Sequence, residues 1–69
     1  MVRRGPGRPS RPVARETLIA AAQKAFSVHG FAGTGLAGLA EDVGLRKSSL
    51  LHHFRNKEQL YVEALDAYS

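Results

Sequence analysis

The sequence contains no cysteine, and its three prolines all lie within the first twelve of its sixty-nine residues. Without cysteine there can be neither a disulfide framework nor a thiolate zinc site, so packing alone must hold the fold. No apolar run approaches the roughly twenty residues that a membrane span requires, and the N-terminus lacks the apolar stretch of a signal peptide. We therefore expect one small cytoplasmic domain with no membrane partner.

Acidic residues are absent from residues 1–12, which carry the whole net charge of +4. From Val13 onward, six basic residues are balanced by six acidic ones. Because this segment also holds all the prolines and almost no apolar residue, we expect a disordered basic arm. Its Gly7-Arg8-Pro9 matches the centre of an AT-hook-like segment, so the arm either enters an A·T-rich minor groove or is a nonspecific tail. The arm residues concerned are Arg3, Arg4, Arg8 and Arg11.

Apolar residues after the arm recur at steps of three and four, which is typical of helices, and no alternating pattern indicates a strand. Gly30 is a candidate C-terminal cap for the first helix, and Thr34 is a candidate N-cap for the second. Asn56, followed three residues later by Gln59, resembles a capping box that opens the last helix. We predict four helices, at about 14–29, 35–42, 46–53 and 57–68.

The second and third predicted helices have the pattern of a helix-turn-helix, in which two short helices are joined by a turn that contains glycine. Gly44 would supply the positive φ of the turn, and Ala40 is small enough for the next helix to cross close above it. An ordinary helical hairpin is the alternative, but two helices this short would bury little against each other. The predicted fold is all-α: a homeodomain-like three-helix bundle with a helix-turn-helix, plus the start of a fourth helix.

The third predicted helix begins within a cluster of basic residues. With Arg46 as its N-cap, Leu45 and Leu50 take the two positions of a hydrophobic staple, which would set the angle at which the helix starts. A charge cluster alone is equally typical of a solvated face. Beside a helix-turn-helix, however, it indicates a surface that faces a polyanion such as double-stranded DNA. The cluster consists of Arg46, Lys47, Arg55 and Lys57.

Residues 17–65 closely resemble the N-terminal domain of the TetR (tetracycline-repressor) family. The most specific matching pieces are AAAQKAF followed by glycine, T-x-L-x-x-LA-x-x-VGL and LLHHFRNKEQL. The resemblance implies a DNA-binding transcriptional regulator, a repressor, whose fourth helix leads into a separate ligand-binding and dimerisation domain. That domain is expected to be absent here, because the apolar stripe of the fourth helix, which includes Leu65 and Tyr68, is still running at Ser69. We expect the full-length regulator to be a homodimer, this piece a monomer, and the small-molecule inducer site to lie outside this chain.

The resemblance also assigns roles to individual residues. The first turn of the third helix, expected to reach base edges in the major groove, holds Arg46, Lys47 and Ser48. The expected phosphate contacts, which position the protein without reading sequence, are Thr34, His52, His53 and Lys57. Leu51 stands where the family often has tyrosine, and it cannot donate a hydrogen bond to a phosphate. It either packs on a thymine methyl group or is half buried, and burial or packing against neighbouring side chains is the commoner place for leucine.

Two other functions are alternatives to DNA binding: a metal-dependent enzyme and an interaction module. A metal-dependent enzyme would rest on His29, His52 and His53, but adjacent histidines on a helix point about 100° apart. No pair of nucleophile and base stands out, so we expect no catalytic residue, no bound metal and no cofactor. The remaining alternative is a small basic helical module that binds acidic partners or membrane surfaces.

Overall fold

The computed structural model describes residues 13–68, whose regular secondary structure is entirely helical. Helix α1 spans Arg15–His29, α2 spans Leu36–Asp42, α3 spans Lys47–His53 and α4 spans Lys57–Asp66. The predicted all-α fold is confirmed, and each helix lies within two residues of the bounds predicted from periodicity. None of these four helices is long and apolar enough to cross a membrane. The predicted basic arm, residues 1–12, lies outside the described residues.

One apolar core holds the four helices together. Helix α1 packs against α4 and α2, and α2 packs against α3. At one end of the core, the Phe26 ring meets the Tyr61 ring edge-on with 5.0 Å between centroids, and Phe31 lies beside both. The buried apolar side chains are Leu18, Ala22, Phe26, Leu39, Ala40, Leu50, Phe54, Leu60 and Ala64.

Two glycines turn the chain where the sequence predicted turns. Gly30 follows α1 with a φ of 76°, and Gly44 follows α2 with a φ of 75°, a region that side chains with a Cβ rarely enter. After Gly44, the Leu45 N–H donates to the Ala40 carbonyl at 2.8 Å, which closes the turn. Ala40 is only 1% exposed, so its small size allows α3 to cross close to α2 as predicted.

The predicted starts of α3 and α4 are confirmed. Arg46 is the N-cap of α3, with Leu50 fully buried four residues later and Leu45 packed beside the core. Asn56 is the N-cap of α4, and its side-chain oxygen accepts a hydrogen bond from the Gln59 N–H at 2.8 Å. In a capping box the side chain of the third helical residue also accepts a hydrogen bond from the N-cap N–H. Here Gln59 Oε1 accepts instead from the N–H of Arg55, one residue before the N-cap, at 2.6 Å.

The apolar stripe of α4 is only partly buried among residues 13–68. Leu60 and Ala64 are buried and Tyr61 is half-buried, but Leu65 is 49% and Tyr68 is 67% exposed. The reason is that the last turn of α4 borders an open groove beside α1 and has no further helix over it among residues 13–68.

Candidate nucleic-acid interface

Helix α3 has one buried residue and a broad exposed face. Leu50 is fully buried and Phe54, which ends the helix, is 1% exposed, so this side holds α3 to the core. Ser48, Leu51 and His52 lie at helical spacings of three and four on the other side and are exposed. We define the recognition face as this exposed surface with the start of the helix: Arg46, Lys47, Ser48, Leu51 and His52.

The recognition face is cationic. No acidic residue occurs between Val43 and Lys57 in the sequence. Within residues 13–68 the single ion pair joins Arg15 to Glu63, so no carboxylate of the described chain neutralises the exposed cations. On the recognition face those cations are Arg46 and Lys47, and exposed Arg55 lies just beyond the end of α3. A surface of this kind attracts a polyanion.

Leu51 is not a core residue, so the usual preference of leucine for the core does not hold here, whereas the half-buried alternative agrees with its exposure. Its side chain is 39% exposed, and Ser48 and His52 lie beside it on the recognition face. The physical reason is the helical rotation of about 100° per residue, which turns position 51 away from the core once Leu50 points into it.

Lys57 has a structural role that the sequence did not reveal. Its Nζ donates to the carbonyl oxygens of Phe31 at 2.7 Å and Thr34 at 2.8 Å, and it lies 4.2 Å from the centroid of the Phe31 ring. The ammonium thus ties the start of α4 to the connection between α1 and α2. Because an ammonium carries three hydrogens, one remains free for a further acceptor.

Thr34 is not the N-cap of α2, and this prediction is corrected. Gly35 takes that position, and Thr34 is only 5% exposed. Its Oγ1 lies 2.8 Å from the Gly30 carbonyl oxygen and 3.2 Å from that of Ala25, so the single hydroxyl hydrogen is used at the end of α1. The phosphate contact expected from this hydroxyl therefore has no accessible donor.

The two adjacent histidines occupy different surroundings. His52 is exposed, whereas His53 is half-buried with its ring 6.2 Å from that of Phe54. They point apart, as expected for neighbours on a helix. Among residues 13–68 no group of three or more histidine, aspartate or glutamate side chains is placed to hold a metal ion.

A hydrogen-bond network near the end of α3 was not predicted from the sequence, although Gln59 was identified there as part of a capping box. Arg15 donates to the His53 carbonyl oxygen at 2.8 Å and also bonds to Glu63. Gln59 donates to the same Glu63 oxygen at 3.1 Å. The bond from Arg15 lowers the pKa of Glu63 below its usual value, while desolvation acts in the opposite direction. The four-residue spacing of Gln59 and Glu63 could have suggested their contact, but nothing local links them to Arg15.

Comparisons with known proteins show which proteins this chain is similar to. Residues 18–64 match the family model described as bacterial regulatory proteins, tetR family. The chain is 41% identical over 61 residues to the HTH-type transcriptional regulator RutR of Escherichia coli (strain K12), which covers 86% of this chain and 29% of that protein. No solved structure matches the chain.

Two further relatives match a similar part of the chain. The HTH-type transcriptional regulator LmrA of Bacillus subtilis (strain 168) is 42% identical over 53 residues, covering 75% of this chain and 28% of that protein. The HTH-type transcriptional repressor KstR2 of Mycolicibacterium smegmatis is 36% identical over 61 residues, covering 87% and 30% respectively. The chain therefore spans less than a third of the length of the curated relatives it matches.

Proposed function

Because this chain belongs to the tetR family of bacterial regulatory proteins, we propose that it binds double-stranded DNA in the cytoplasm and represses transcription. The observation that carries the proposal is the recognition face of α3, which is exposed and cationic and has no acidic residue in it. The major groove of B-DNA, about 12 Å wide, admits an α-helix, and a helix held by one buried side can enter it with the opposite side.

Each residue of the interface has a proposed part. Base edges are read from the start of α3, where an arginine or lysine can pair with O6 and N7 of guanine. Phosphates are contacted from the end of α3 and the start of α4, and the free hydrogen of Lys57 is available for this. The base contacts proposed are Arg46, Lys47 and Ser48, and the phosphate contacts proposed are His52, His53 and Lys57.

The complete regulator is proposed to act as a homodimer on a near-palindromic operator, because two helix-turn-helix units spaced by one DNA turn read two half-sites. The relatives are more than three times as long as the segment they share with this chain. Dimerisation and binding of a small-molecule inducer are accordingly assigned to residues outside these sixty-nine. A single unit supplies half the contacts, so the chain itself should bind DNA weakly.

The proposal is tested by titrating the chain with duplex DNA at low salt and following backbone amide signals by NMR. Amide signals of Ser48, His53 and Lys57 should shift, while those of the residues that line the groove between α1 and the last turn of α4 should not. Vesicles of anionic phospholipid serve as the comparison. Unmoved α3 signals, or tighter binding to vesicles than to duplex, would show that this is an interaction module instead.

Replacing Lys57 and replacing Lys47 are expected to change DNA binding in different ways. Lys57→Ala should weaken binding to all duplexes alike and reduce the slope of log affinity against log salt by about one, because one phosphate contact is lost. Lys47→Ala should change which sequences are preferred, because a base contact is lost. The measurement is the affinity of each variant for duplexes selected from a random pool and for scrambled duplexes, at several salt concentrations.

The internal bonds of Lys57 require a control in that experiment. Lys57→Ala also removes the donor to Phe31 and Thr34, so thermal melting must show that the variant is folded at the temperature of the titration. A folded Lys57 variant with the wild-type salt slope would mean that the ammonium is structural only. A uniform loss in Lys47→Ala would remove that residue from the base readers.

Leu51 is proposed to contact the methyl group of a thymine. Its side chain is exposed among polar residues, and the thymine methyl is the apolar group that the major groove presents. Replacing the contacted thymine with deoxyuridine removes only that methyl group. Burying one methyl group is worth about 0.8 kcal/mol, so wild-type affinity should fall about fourfold. Leu51→Ala should not distinguish the two duplexes. An equal response of both proteins to deoxyuridine would contradict the contact.

A further inference from the structure

The end of α3 is held on both sides of Phe54 by hydrogen bonds from other helices. On one side, the His53 carbonyl oxygen accepts from Arg15 of α1 at 2.8 Å. On the other side, the Arg55 N–H donates to Gln59 of α4 at 2.6 Å. The two bonded backbone groups are only two residues apart, so together they restrict both the position and the direction of the chain as it leaves α3.

Glu63 joins the two bonds into one network. Its Oε2 accepts from Arg15 and, at 3.1 Å, from Gln59. The guanidinium of Arg15 also lies over the Phe54 ring, with its central carbon 4.4 Å from the centroid. A planar guanidinium can donate to a carbonyl and a carboxylate from different nitrogens while it covers a ring, whereas a lysine ammonium cannot make all three contacts.

Helix α3 needs this external support because its own packing is slight. It has seven residues and only Leu50 among them is buried. A helix of this length is about 10 Å long, so a tilt of about 10° at its end moves the first turn by nearly 2 Å. A hydrogen bond to a base edge tolerates changes of only about 0.5 Å in donor–acceptor distance.

We propose that Arg15, Gln59 and Glu63 are positioning residues that set the direction of α3 and thereby its discrimination between base sequences. None of the three lies on the recognition face, so their effect passes through the backbone around Phe54. The inference rests on the proposed function, because discrimination between sequences presupposes DNA binding. If the network only stabilised the fold, its loss would lower the melting temperature without altering relative affinities.

The test compares Arg15→Lys with the wild-type chain on a selected duplex and on a scrambled duplex of the same composition. Lysine keeps the positive charge, so affinity for the scrambled duplex should stay within about twofold. The ratio of affinities, selected over scrambled, should fall about tenfold, which is the scale of one well-placed base contact. A folded Arg15→Lys with an unchanged ratio overturns the proposal.

Two further variants complete the test. Glu63→Gln keeps the proposal testable if Arg15→Lys does not fold, and Glu58→Gln is the control. Glu63→Gln leaves the Arg15 bond to His53 in place but removes the carboxylate, and it should reduce the ratio less than Arg15→Lys does. Glu58→Gln makes the same chemical change at an exposed position of α4 and should leave the ratio unchanged. A loss of discrimination in Glu58→Gln as large as in Glu63→Gln would contradict the role of the network.

A measurement without DNA separates this inference from the proposed function. Residual dipolar couplings of backbone amides give the angle between α3 and α4 in the free chain, and Arg15→Lys should change it, with faster hydrogen exchange at Arg55. A wild-type chain that binds neither duplex overturns the proposed function. In that case the angle between α3 and α4 in Arg15→Lys still tests whether the network sets the direction of α3. An unchanged angle would overturn this structural part of the proposal as well.

Discussion

Replacing Leu50 with alanine should unfold much of the domain and abolish DNA binding at ordinary temperatures. Leu50 is fully buried and is the one α3 residue in the core. Truncation of a buried leucine costs about 2–5 kcal/mol, whereas a domain of this size has roughly 3–10 kcal/mol of stability in all. The melting temperature followed by circular dichroism should fall by about 10 °C or more.

The neighbouring residue provides a matched control for this prediction. Leu51→Ala makes the same chemical change one position later, where the side chain is 39% exposed. It should change the free energy of unfolding by less than about 1 kcal/mol, while it alters the response to thymine. Melting temperatures of the two variants within a few degrees of each other would show that α3 is not held to the core through Leu50.

Removing residues 1–12 should have the largest effect on the salt dependence of DNA binding. The segment contributes four arginines and no acidic residue. If all four neutralise phosphates, the slope of log affinity against log salt falls by about 3.6. The intact chain should then lose about 150 times more affinity than the truncated one when salt rises from about 50 to about 200 mM.

The sequence flanking the binding site distinguishes the two interpretations of the arm. An arm in the minor groove should give the intact chain an advantage that is greatest on A·T-rich flanks, where the groove is narrow. A nonspecific tail should give the same advantage on every flank. A chain with all four arginines changed to lysine keeps the charge and should lose only a preference for A·T flanks. Equal salt slopes for the intact and truncated chains would contradict both interpretations.

The features that were predicted correctly depend on neighbours in the sequence. The helices followed from apolar residues at steps of three and four, because that spacing places them on one face whatever the rest of the fold does. The turn at Gly44 followed from the conformational freedom of glycine. The start of α4 followed from the short reach between Asn56 and Gln59.

The errors concern residues whose partners are distant or numerous. A threonine before a helix usually caps it, but the Thr34 hydroxyl lies next to carbonyl oxygens near the end of α1 and bonds to those instead. A leucine is usually buried, but the rotation of α3 turns Leu51 outward. In both cases the general preference was overruled by the particular packing of one helix against another.

The sequence alone determined the four helices, the sharp turn between α2 and α3, and the cluster of cations around α3, because each depends on residues within one or two helical turns. Only the tertiary structure decided which residues hold the end of α3 and the start of α4 in place. Lys57 reaches back to Phe31 and Arg15 reaches forward to Glu63, across separations of 26 and 48 residues. Such contacts depend on which carbonyl and carboxylate oxygens the packing leaves within reach, and no local spacing records them.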